Sequence, residues 1–118
     1  MRKRALALVA GVVMSIAAMN VAAAAVSSTV SIGYNHPTEF FHGKVGSSDG
    51  ECRAGRTVKV FKMTANGPSL EGRVTSDADG GWKIEVMHAH GHYFAVVPAQ
   101  KVMHTHCGKA TSRTVDVM

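Results

Sequence analysis

Past its first 25 residues the sequence has no run of basic side chains, no basic stripe interleaved with aromatics and no segment with apolar residues at helical spacing. The first two absences exclude a nucleic-acid-binding surface, and the third excludes a helical architecture. No Gly-x-Ser-x-Gly elbow occurs, and spacing nominates no His, Asp and Ser trio, which points away from an enzyme of the common hydrolytic kinds. Cysteine is scarce, with Cys52 and Cys107 the only two. No cysteine stands where a lipid-modified N-terminus would need one, and the closing "TVDVM" is no anchor.

What is present begins with three positive charges in "MRKR", followed by the apolar run "ALALVAGVVMSIAAM" and the small-residue stretch "NVAAAAVSS". That order is a secretory signal peptide over residues 1–25, with Ala23 and Ala25 filling an A-x-A cleavage site. A membrane anchor would need about 20 unbroken apolar residues, and Asn20 interrupts the run. The expected product is secreted or extracytoplasmic and free of the membrane once the signal is cleaved. Removal of 25 from 118 residues leaves 93, enough for one small domain. The formal charge falls from +5 to +2, because Arg2, Lys3 and Arg4 go with the signal. In an oxidising compartment Cys52 and Cys107 are expected to pair, and closing so long a loop stabilises by roughly 4 kcal/mol in the chain-entropy model.

The mature chain alternates with period two. "FFHGKVG" sets Phe41, Gly43 and Val45 against His42 and Lys44, and "RTVKVFKM" sets Val58 and Val60 against Thr57 and Lys59. "LEGRVTS" contributes Leu70, Gly72 and Val74 to an inner face; "GWKIEVM" contributes Trp82, Ile84 and Val86. "HYFAVV" turns Tyr93, Ala95 and Val97 inward with His92 and Phe94 outward, and "RTVDVM" adds Val115 and Val117. These are half-buried strands. Between them lie "SSDGE", "TANGPS" and "SDADGG", whose Asp-Gly and Asn-Gly pairs suit tight turns. Six to seven short strands without intervening helices predict an all-β, antiparallel two-sheet sandwich over residues 38–118, with residues 26–37 as a leader or edge strand. In "SDADGG" Asp77 is expected to accept backbone N–H bonds across the turn while Gly80 or Gly81 takes a positive φ. The distal Glu of a helix-loop-helix calcium site is missing.

The string "FHGKV", "RTVKVFK", "TSDADGGWKI" and "GHYFAVV" resembles the secreted transthyretin-like or carboxypeptidase-regulatory-like modules, over about residues 40–117. The resemblance implies an immunoglobulin-like or prealbumin-like sandwich, and a non-enzymatic structural, adhesive or ligand-binding role toward an extracellular protein or surface ligand. The enzymatic branch of the transthyretin-like group ends in Tyr-Arg-Gly-Ser; this chain ends "VDVM", so that hydrolase activity is not implied.

Histidine is concentrated in two places. "VMHAHGHYF" carries His88, His90 and His92, and "VMHTHC" carries His104 and His106. On a strand, residues i and i+2 lie about 6.5–7 Å apart on one face, so two imidazoles can share an ion. The outer pair of three would be about 13 Å apart, so a four-ligand site would need the segment from Pro98 to Met103 to fold His104 and His106 back beside the others. Such a site would suit Zn²⁺, Cu²⁺ or Ni²⁺. Glu85 is the only orienting carboxylate near in sequence, and no general base recommends zinc-water hydrolysis. The other reading makes these histidines solvated strand ends that need no cofactor, with His36 and His42 as isolated surface positions. Met63, Met87, Met103 and Met118 read as core filler rather than soft ligands.

Overall fold

The computed structural model describes residues 24–118. The expected signal peptide therefore lies outside the described residues apart from Ala24 and Ala25. Among the described residues no helix is long and apolar enough to cross a membrane.

Among the described residues eleven short strands follow the period-two pattern. They are β1 (Ser28–Val30), β2 (Gly33–Asn35), β3 (Phe40–Ser47), β4 (Thr57–Thr64), β5 (Gly67–Thr75), β6 (Gly81–Glu85), β7 (Gly91–Val97), β8 (Gln100–Val102), β9 (Thr105–Cys107), β10 (Ala110–Thr111) and β11 (Val115–Val117). One layer has β3 at its centre, paired with β6 on one side and with both β1 and β2 on the other. The second layer runs β5, β4, β7, and β7 carries both β10 and β11 on its far side. Every one of these pairings is antiparallel. Counting each interrupted edge as one strand, this is an all-β sandwich of three strands against four. The residues expected as a leader or edge strand form the edge β1–β2. A separate hairpin, β8–β9, projects from the end where β7 finishes.

Both layers supply the core. Phe41, Val45, Trp82 and Ile84 come from one, and Val58, Val60, Tyr93, Ala95, Val97, Val115 and Val117 from the other. The rings of Phe41 and Tyr93 meet across the sandwich at 4.7 Å. Space is tight where the edge passes from β1 to β2: a Cβ on Gly43 would stand 1.9 Å from the Ser31 carbonyl oxygen, so only glycine lets the chain cross there.

Two strand-level expectations need correction. Leu70 was expected to face the core with Gly72 and Val74, yet it is 46% exposed. The register passes from Val60↔Gly72 to Phe61↔Leu70, so Glu71 is an extra residue in β5. Such a bulge reverses the facing of everything beyond it, and Leu70 emerges on the outer face beside Phe61. The four methionines are likewise not core filler. Met63, Met87, Met103 and Met118 are 46%, 61%, 72% and 87% exposed.

The β5–β6 turn forms as its residues dictate. Asp77 Oδ1 accepts from the backbone N–H groups of Asp79 and Gly81 at 2.9 and 2.8 Å. The Asp77 N–H donates to the Gly81 carbonyl at 2.8 Å. Gly80 holds φ at 89°, which is the left-handed region. Asp77→Ala removes two acceptor contacts from an exposed turn, and a loss of about 1–2 kcal/mol is expected in urea unfolding; Asp77→Asn, which keeps an oxygen, retains more.

Cys52 and Cys107 form a disulfide with Cα atoms 5.4 Å apart, and both are buried. The bridge joins the 3-10 turn Gly50–Cys52, between β3 and β4, to the end of β9. Such a bridge is characteristic of oxidising, extracytoplasmic surroundings. Thr105 adds a hydrogen bond from its hydroxyl to Glu51 at 2.6 Å. Beneath the bridge lies Arg56, completely buried. Its guanidinium donates to the carbonyls of Cys52 (2.8 Å), Pro98 (3.1 Å) and Gly108 (2.8 Å) and to the Ser28 hydroxyl (2.9 Å). Burial lowers its pKa from the ordinary value, but an arginine starts so high that it stays charged.

Candidate functional site

The outer face of the four-stranded layer presents three rows of side chains, each running across neighbouring strands. Lys59 on β4 stands between Arg73 on β5 and Val96 on β7. In the next row Phe61 stands between Leu70 and Phe94. The two phenyl rings stack at 5.5 Å with an interplanar angle of 19°. In the third row Met63 faces Pro68, and the β4–β7 register, continued one residue beyond Lys62↔Tyr93, places Met63 opposite His92. His92 in turn faces Asp116 on β11. The face thus grades from cationic through apolar to a soft and titratable row within one sheet.

The five candidate ligands divide into two groups. His88 and His90 lie in the loop between β6 and β7, and His92 is the second residue of β7. His106 lies on β9, and His104 at the tip of the β8–β9 hairpin. The six steps of β7 from Gly91 to Val97 separate the groups by about 20 Å. The hairpin therefore does not fold back, and the five histidines do not converge on one ion as a four-ligand site requires. Among the described residues, no three His, Cys, Asp or Glu side chains gather in a metal-holding arrangement.

Within the first group the polypeptide is closely tied. His88 adopts φ 58° and Glu39 φ 61°; the His88 N–H donates to Glu39 Oε2 at 2.9 Å. His88 Nδ1 lies 3.9 Å from the same oxygen. The Tyr93 hydroxyl accepts from the His90 N–H at 3.0 Å and donates to the His90 carbonyl at 3.2 Å, fixing the loop to the core. Nearby, the Tyr34 hydroxyl donates to the Val86 carbonyl at 3.3 Å. Desolvation, reinforced by the Glu39 charge, raises the Tyr34 pKa. On the outer face, His92 Nδ1 lies 3.7 Å from Asp116 Oδ1. The carboxylates nearest these two imidazoles thus come from far away in sequence, Glu39 before β3 and Asp116 on β11, and neither is within hydrogen-bond distance of a ring nitrogen. Sequence order alone carried no signal for either.

A cavity of about 600 Å³ opens beside the free edges of β5 and β6, lined by His42, Val74, Thr75, Asp77, Trp82 and Lys83 among others. Trp82 Nε1 is buried and has no hydrogen-bond partner among the described residues. His36 packs edge-on against Tyr34 at 5.0 Å, and His42 lies over Gly33. Neither joins the two histidine groups. No protein family, curated protein or solved structure matches this chain.

Proposed function

We propose that the mature chain is a secreted, non-enzymatic β-sandwich module of the immunoglobulin-like or transthyretin-like kind that binds another extracytoplasmic protein through the outer face of its four-stranded layer. The observation that supports this most is the row Leu70, Phe61 and Phe94. A bulge at Glu71 turns Leu70 out of the core to complete it, and the row leaves Leu70 exposed beside the half-buried, stacked rings of Phe61 and Phe94. Contiguous apolar surface of this sort marks interaction sites, with aromatic anchors contributing most of the binding energy. Lys59 and Arg73 border the row, so the partner surface that fits is apolar with carboxylates at its rim.

The test is site-specific photocrosslinking in the exported protein. A photoreactive residue at Phe94 is expected to give discrete adducts, reduced when Phe61 is also changed to Ser. The same probe at Glu85, on the outer face of the other layer, is expected to give none. Equal adducts from both faces, or none from Phe94, would overturn the reading.

A further inference from the structure

On one side of the sandwich each layer ends in a strand with a free edge, β6 in the first and β5 in the second. The β5 edge is blunted: Pro68 has no N–H to offer and Glu71 bulges, and both devices discourage further pairing. β6 carries neither. Its ladder with β3 is bracketed by hydrogen bonds from the Val45 N–H to the Gly80 carbonyl at 2.8 Å and from the Val86 N–H to the Glu39 carbonyl at 3.0 Å. Antiparallel bonding alternates along a strand, so Trp82 and Ile84 also turn their backbone groups toward β3, while Gly81, Lys83 and Glu85 turn theirs to the free side. Gly81 is already used, its N–H donating to Asp77 Oδ1 and its carbonyl accepting from the Asp77 N–H, both at 2.8 Å. Lys83 and Glu85, both exposed, are left with N–H and carbonyl groups that meet no partner among the described residues.

These positions complement themselves. When β6 pairs antiparallel with β6 of a second copy about a twofold axis at Ile84, Lys83 stands opposite the second copy's Glu85, and Glu85 opposite its Lys83. Each such pair is of the kind that exchanges both N–H···O bonds, and each sets opposite charges across neighbouring strands on the outer face. The adjacent registers of the same hydrogen-bond phase have their axes at Lys83 or at Glu85, and they set ammonium against ammonium or carboxylate against carboxylate. A slip of one residue aims the backbone groups of Lys83 and Glu85 at residues whose own groups are turned toward β3. Hydrogen-bond phase and charge therefore select the same register.

We propose that the free edge of β6 is a homodimerisation edge, which joins the three-stranded layers of two copies into one continuous antiparallel sheet through reciprocal Lys83–Glu85 pairs. It is separate from the apolar row on the other layer and stands whether or not that row docks a partner. Both pairs use Glu85, so a photoprobe in its place removes them and reports on the monomer. The test is sedimentation velocity on the oxidised mature domain from about 10 μM to about 1 mM, the range suited to a short interface. Wild-type protein is expected to pass from monomer to dimer across that range, with amide exchange at Lys83 and Glu85 slowing as the dimer forms. Lys83→Glu and Glu85→Lys each set like charges at both pairs, and each is expected to raise the dimer Kd about tenfold or more. Mixed in equal amounts, these two variants are expected to recover the dimer, because every pair is again of opposite sign. The double exchange Lys83→Glu/Glu85→Lys is expected to recover it alone. Lys83 also lies 5.3 Å from the centre of the Phe40 ring; recovery in the mixture, which still lacks that contact, assigns the effect to the charge pairs. Wild-type protein that stays monomeric at about 1 mM would overturn the edge. So would a dimer that neither single variant weakens, single variants that stay monomeric on mixing, or a dimer lost only on Phe61→Ser, which would place self-association on the apolar row. Circular dichroism of each variant separates lost pairing from lost fold.

Discussion

Arg56→Met is expected to destabilise the domain by about 3–5 kcal/mol, because it leaves four acceptors around a buried site without their donor. The guanidinium is fully buried and, among the described residues, its contacts are three carbonyls and one hydroxyl, with no carboxylate. Those acceptors belong to the β1 edge, the disulfide loop, the end of β7 and the segment before β10, four stretches far apart in sequence. Methionine fills much of the volume but donates nothing, and each carbonyl left without a donor costs about 1–3 kcal/mol. Arg56→Lys keeps the charge, yet a single ammonium with three donors cannot span the fork that reaches Cys52 on one side and Pro98 and Gly108 on the other. Lysine is therefore expected to recover less than half of the loss. Urea unfolding monitored by Trp82 fluorescence checks both; a change under 1 kcal/mol for Arg56→Met would show that the clamp contributes little beyond its packing.

Sequence alone placed most of the strands but not this clamp, and the difference has a physical basis. Alternation is a local property, so Phe41, Val45, Val58, Val60, Tyr93, Ala95 and Val97 read inward from their own neighbours and are buried. "SDADGG" carries its turn chemistry within six residues, and Asp77 behaves as the residue types require. Leu70 failed because a bulge is a property of two strands: the extra residue Glu71 exists only relative to β4. Arg56 looks like an ordinary polar residue before a strand, since the acceptors that hold it, from the Ser28 hydroxyl to the Gly108 carbonyl, arrive through tertiary folding. The histidines illustrate both cases. Their period-two spacing was visible, but the length of β7 decides that His88, His90 and His92 lie at one end and His104 and His106 at the other. Asp116 comes beside His92 only by strand register. The exposed methionines were misread because hydropathy predicts burial on average, and the facing of Met63 follows from that of Phe61 two residues earlier in β4.

Replacing both half-cystines, Cys52→Ala with Cys107→Ala, is expected to lower stability by about 4 kcal/mol. The bridge closes a loop across a sequence separation of 55, and loop-closure entropy for about that many residues gives this figure at 25 °C. A domain of this size has perhaps 5–15 kcal/mol in total, so the variant is expected to unfold at much lower urea and to show a larger m-value from a more expanded unfolded chain. The bridge and Arg56 are not independent. The guanidinium holds the carbonyl of Cys52 itself and that of Gly108, the neighbour of Cys107, so each device fixes the backbone that the other uses. In a double-mutant cycle the bridge and clamp are therefore expected to show a coupling above about 0.5 kcal/mol, outside the range for sites that act separately. The direction follows from the contacts: without the bridge, the donors of Arg56 must recruit a hairpin that is no longer tethered, and ordering it offsets part of the hydrogen-bond gain. Arg56→Met should then cost less in the Cys-free background than in the oxidised protein. Strict additivity would mean that the hairpin is positioned by its own contacts, such as Thr105 with Glu51, rather than by the two devices acting together.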